Sequence, residues 1–149
     1  MTREVYLIIP NSDIGGAQNF FKRLFNNLEV ENKQLVVENH VPHKNLNFLN
    51  RVLKIYKLIS RSKEEPVVLA TVNSIVPSTF CKLLLKKFLL ISRIANSVSS
   101  EIKGDLWNFY KFFFFYRVIF KVADYVVFQS NSMKEDALKV LKLADESKY

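Results

Sequence analysis

Two spacings of apolar residues alternate along this chain. Short runs rich in Val, Ile and Leu, of the length of buried strands, fall at 5–9, 33–38, 66–71, 88–95 and 125–129. Between them apolar residues return every three or four positions, as on one face of a helix. Ala17, Phe20, Phe21, Leu24 and Leu28 form the first such stripe. Leu49, Val52, Leu53, Tyr56 and Ile59 form the second, in a helix expected over 45–63. Val76, Phe80, Leu83 and Leu84 mark the buried side of a third over 76–86, with Pro77 in its first turn. In 107–123, Phe109, Phe112, Phe113, Tyr116, Ile119, Phe120 and Ala123 share one arc. Trp107, Phe114, Phe115, Val118 and Val122 fall outside that arc, so this helix is apolar nearly all round and has either burial on two sides or an apolar neighbour. The pattern S-M-K-E at Ser132 to Glu135 reads as a capping box that opens a last helix through Leu141. Met133, Ala137, Val140 and Leu141 line its inner side.

Strand and helix therefore alternate five times. That order predicts an α/β fold, a parallel sheet with helices on both faces. The segment 96–103 is polar and reads as exposed. Ligands of such sheets bind outside the carboxyl ends of the strands. Four polar loops converge there, at 11–16, 71–74, 93–97 and 130–132. This places a cleft without naming its chemistry.

The first of those loops is PNSDIGGAQ. Gly15 and Gly16 sit between the first strand and its helix, and the chain has only three glycines. Glycines there let backbone N–H groups approach a ligand at the positive end of a helix, which suits a phosphate. The same pair also serves a tight turn with no ligand, and spacing alone does not separate the two.

At 149 residues and 49% hydrophobic content the chain is expected to be one domain, 1–149, with a real core. Lys and Arg number 22 against 14 acids, a net charge of +8. That balance favours anionic partners: nucleic acid, a phosphorylated ligand or a negative membrane surface. No nucleic-acid motif accompanies it, and the aromatics fall in apolar stripes rather than among exposed cations, so nucleic acid is not expected. Lys54, Lys57 and Arg61 form a basic face on the second helix, either solvated or drawn to anionic lipid. Cys81 is the only cysteine, so no internal disulfide forms, and its apolar neighbours suggest a buried thiol. His40 and His43 lack further ligands, and no metal site is expected. No signal peptide and no membrane span are apparent.

Three segments, IIPNSDIGGAQNFFKRL, LLISRIANSVSSE and ADYVVFQSNSMKEDAL, together resemble the family 4 glycosyltransferases, in the right order and across nearly the whole chain. The resemblance implies the N-terminal, Rossmann-like half of a GT-B enzyme. Such enzymes move a sugar from a nucleotide-sugar to a glycan or a lipid-linked acceptor, and need no further cofactor for it. Gly15 and Gly16 match the glycines that approach the donor phosphates. Arg93 and Asn96 match a turn lining the acceptor and donor sugar, and Asn11, Asn73 and Ser130 lie on the converging loops. Many relatives carry a histidine near Arg93, and this chain has none. The second, nucleotide-sugar-binding domain with its paired glutamates is expected to be absent here, and the chain alone to be inactive. A companion domain or chain would then complete the enzyme, in the cytoplasm or peripherally on the inner membrane face. The other reading is a basic α/β binding module without catalysis.

Overall fold

A computed structural model of the chain describes residues 3–11, 16–39, 47–85, 87–102 and 106–142. Five strands form one sheet: β1 (Val5–Asn11), β2 (Lys33–Asn39), β3 (Val67–Thr71), β4 (Leu89–Ile94) and β5 (Tyr125–Phe128). Their order is β2-β1-β3-β4-β5 and every pairing is parallel. The crossovers carry α1 (Gly16–Asn27), α2 (Phe48–Arg61), α3 (Ile75–Leu85), α4 (Val98–Ile102) and α5 (Leu106–Val122), and α6 (Asn131–Leu141) follows β5. The fold is thus the Rossmann-like α/β arrangement that the alternation predicts. No helix among the described residues is long and apolar enough to cross a membrane.

Strand pleating divides the core in two, because neighbouring residues of a strand face opposite sides. Tyr6, Ile8, Val68, Ala70, Leu90 and Val126 point to one side, where α2, α3, α5 and α6 pack. Leu7 and Ile9 point to the other, where Phe21 of α1 is wholly buried with Leu24 and Phe25 around it. Helices therefore flank both faces, but α1 is the only one among the described residues to contribute to the second cluster. On that side Tyr125 and Val127 of β5 stay exposed.

Helix positions follow the periodicity better than helix orientations do. In α1 Phe21 takes the core position and Phe20 is exposed. In α2 the buried residues are Val52, Ile55 and Ile59, while Leu49, Leu53 and Tyr56 face outward. The reversal is largest in α3. Phe80, Leu83 and Leu84, expected inside, are exposed, whereas Ile75, Pro77, Ser78, Thr79 and Cys81 are buried. Small side chains let this helix lie close to the sheet, and the Cys81 thiol, buried as expected, donates to the Val52 carbonyl at 3.4 Å. The close approach has a cost. The hydroxyls of Ser74, Ser78, Thr79 and Ser92 are buried with no hydrogen-bond partner among the described residues, each a penalty of roughly 1–3 kcal/mol.

Two local expectations are also corrected. The polar stretch after β4 is not simply exposed: it forms α4, with Val98 fully buried. The carboxylate of Asp136 on α6 holds it, accepting from the Ser97 hydroxyl at 2.8 Å and the Ser99 backbone N–H at 2.9 Å. The cap of α6 is Ser130 rather than Ser132. Ser130 is extended and its Oγ accepts from the Met133 N–H at 3.3 Å, while Ser132 lies inside the first turn. At the opposite edge of the sheet Asp124 ties β5 to β4: its Oδ2 accepts from the Leu90 N–H at 2.7 Å and from Lys82 Nζ of α3 at 2.8 Å.

Candidate functional site

In this strand order the chain leaves β1 in one direction to β2 and returns to its other side at β3. A crevice opens at the carboxyl ends where the direction switches. Asn11 ends β1 there, in register with Asn39 of β2. Gly15 lies outside the described residues, as do His40 and His43. Gly16 is the first residue of α1. It does not have a positive φ, and a Cβ built on it meets nothing within 4 Å. Neither backbone conformation nor crowding demands glycine at this position, so what distinguishes it is open space beside a helix start.

Arg93 occupies the carboxyl end of β4, opposite Thr71 of β3. Pleating sends its side chain to the α1 side of the sheet, where the residue is only 4% exposed. Phe20 of α1, four residues into the helix that Gly16 opens, covers it, with the guanidinium carbon 4.3 Å from the ring centroid. This accounts for the outward position of Phe20: it is a lid on a cation, not a core residue. With its amide oxygen turned inward, Gln129 accepts from Arg93 Nη2 at 2.7 Å and donates to the Ala95 carbonyl at 2.9 Å. Thr71 Oγ1 is 3.4 Å from Arg93 Nη1. Burial lowers the pKa of the guanidinium from its ordinary value, and no acidic group among the described residues acts on it in the opposite direction. The charge remains, since arginine does not deprotonate in proteins. Among the described residues Arg93 makes no ion pair with a carboxylate.

Across the sheet from Arg93, the loops after β3 and β4 enclose a cavity of about 310 Å³. Asn73 and Asn96 both line it, so two of the residues expected from the sequence meet there. Arg51 of α2 donates to the Asn73 carbonyl at 2.8 Å, and Asn96 Nδ2 donates to Glu101 Oε1 at 2.6 Å. The Tyr116 hydroxyl donates to the other oxygen of Glu101. Burial, with Glu101 beside it, raises the pKa of that phenol well above its ordinary value, so it stays a neutral donor. The polar mouth passes into an apolar groove of about 350 Å³ between α3 and α5, with Phe48, Val76, Phe115 and Ile119 common to both.

Ser130 is spent on capping α6 and does not line this cavity. Arg93 faces the other side of the sheet and does not line it either. Arg51, Glu101 and Tyr116 belong to the site but escape the sequence reading. Glu101 sits in a segment read as exposed, and Tyr116 reads only as core, because nothing in linear spacing couples a helix-five hydroxyl to a helix-four carboxylate. No group of three or more His, Cys, Asp or Glu among the described residues is arranged to hold a metal. No protein-family model and no curated protein sequence matches this chain.

Proposed function

We propose that this chain is the N-terminal, acceptor-binding part of a glycosyltransferase that moves a sugar from a nucleotide-sugar to a glycan or lipid-linked acceptor. The observation that carries the reading is Arg93, a buried guanidinium with no carboxylate partner among the described residues, at the carboxyl edge of the sheet. Proteins seldom bury a cation without a counter-charge, because its desolvation costs several kcal/mol. An anionic ligand at the carboxyl edge would supply one. In this reading the Gly15–Gly16 turn and the start of α1 receive the donor diphosphate, whose growing negative charge amide dipoles and a fixed cation stabilise. Covered by Phe20, Arg93 acts through its field rather than by contact.

The acceptor is assigned to the cavity across the sheet. Asn73, Asn96 and Glu101 offer donors and acceptors to sugar hydroxyls, and the apolar groove continuing from it accommodates a hydrocarbon part. Asn11 ends β1 at the crevice where the strand order switches, apart from this cavity. Turnover requires a second unit to hold the nucleotide, so these residues alone bind without transferring.

The test is a titration of the isotopically labelled chain followed by NMR. A short oligosaccharide carried on a prenyl phosphate should shift the amides around Asn73 and Asn96. Inorganic pyrophosphate should shift those at the start of α1. Binding of neither refutes the proposal. Binding of an anion with no response to any saccharide favours the basic, non-catalytic module.

A further inference from the structure

The outer surface of α2, α3 and α5 differs from the rest of the molecule in charge and in polarity. These helices contain eight of the chain's 22 Lys and Arg and none of its 14 Asp and Glu. Elsewhere 14 cations face 14 acids, so the three helices hold the whole net charge of +8. Lys82 is offset by Asp124, whereas Lys57, Arg61 and Arg117 are exposed.

The same surface is apolar. Leu49, Leu84 and Phe114 are 63%, 60% and 66% exposed. The middle helix, α3, turns Phe80, Leu83 and Leu84 outward and its small residues inward. Phe48 of α2 meets Phe80 edge-on at 5.8 Å between ring centroids, and Phe115 and Val118 of α5 wall the groove beside α3. Apolar side chains thus run unbroken across three helices. A patch of this kind marks a surface that is covered in use.

We propose that this three-helix face docks on an anionic lipid bilayer. Charge decides the occupant. A second copy would set two surfaces against each other whose helices carry cations and no acid, and that arrangement repels. A nucleic acid would satisfy the cations but gives nothing to Leu49, Leu53, Leu83 and Leu84, which cannot stack on bases as aromatic rings do. A bilayer with anionic headgroups satisfies both sets at once: hydrocarbon takes the Leu and Phe side chains, and headgroup phosphates take Lys57, Arg61 and Arg117. Docked in this way, the chain would turn the groove that leads to the Asn73–Asn96 cavity toward the lipid.

The experiment is co-sedimentation of the chain with phosphatidylcholine vesicles, with and without phosphatidylglycerol. No sugar or nucleotide is present, so the outcome is independent of the sugar-transfer reading. The chain should sediment with the anionic vesicles and release as salt is raised. Lys57→Glu with Arg61→Glu should lower partitioning about twentyfold or more, since each lost cation is worth about fivefold. Leu83→Ser with Leu84→Ser should lower it about tenfold or more at unchanged charge. All four positions are exposed, and circular dichroism should show both variants folded. Absence of vesicle binding would overturn the proposal. So would vesicle binding indifferent to the leucine changes, a dimer that those changes dissociate, or tighter binding to a single-stranded oligonucleotide than to the vesicles.

Discussion

Replacing Arg93 by methionine separates a cation kept for an anion from one kept for the fold. Among the described residues the side chain makes three contacts that methionine would lose. Stacking on Phe20 contributes about 0.5–2 kcal/mol. The charged hydrogen bond to Gln129 contributes about 1.5–3 kcal/mol. The 3.4 Å approach to Thr71 is too long to add much. Against these stands the desolvation of a guanidinium that no carboxylate offsets among the described residues, a cost of several kcal/mol that methionine avoids. The terms nearly cancel, and Arg93→Met should change stability by no more than about 2 kcal/mol. For a chain of this length that moves Tm by less than about 8 °C. The informative measurement is thermal unfolding with and without pyrophosphate. A ligand at one hundred times its Kd stabilises by about 2.7 kcal/mol, so Tm of the wild type should rise by about 5–10 °C. Arg93→Met should lose most of that rise. A variant that melts more than about 12 °C lower yet keeps the full response to pyrophosphate would refute the reasoning and make Arg93 a structural residue.

Gly16→Ala should raise stability by about 0.4–1 kcal/mol in chemical denaturation, because alanine fits the space and restricts the unfolded chain, while weakening pyrophosphate binding by filling the approach to the helix start. Asp136→Asn should cost about 1–3 kcal/mol at neutral pH by denaturant titration, since α4 hangs on that carboxylate. Burial alone would raise the Asp136 pKa, but hydrogen bonds from Ser99 and Ser97 outweigh it and hold the folded value below the unfolded one. The stability it supplies is therefore complete above about pH 4, the unfolded value, and fades as pH falls toward the folded one, so the gap between wild type and variant should close on acidification. Ser92→Ala removes a buried, unpartnered hydroxyl and should leave stability unchanged or raise it by up to about 1 kcal/mol in the same titration.

The strands were legible because each is a compact apolar run bounded by turn residues, and parallel pairing follows from the helices between them. Helix faces were not, and α3 explains why. A stripe reading assigns the bulkiest apolar side chains to the core. With Phe80, Leu83 and Leu84 on one side and Ser78, Thr79 and Cys81 on the other, distance to the sheet decides instead, and only the small set fits. Phe20 misleads for a different reason, since its partner is a cation on another element. The same holds for the cavity. Asn73 and Asn96 were found because they lie on loops that follow strands, while Glu101 and Tyr116 meet only after α4 folds back toward α5. The polar segment holding α4 gave no helical period, because five residues are too few to repeat one.

The order of the sheet also bears on how it is made. After β2, each strand joins the same flank: β3 beside β1, β4 beside β3, β5 beside β4. During synthesis from the amino terminus, every new strand after the first would emerge to find its neighbour already present. No pairing waits for a later segment to be inserted between two earlier ones: β3 adds to the edge of β1 that β2 leaves open. Long parallel crossovers ordinarily make folding slow and expose unpaired edges. Here assembly can keep pace with the ribosome, with every strand after β2 added to one growing edge while β2 bounds the other.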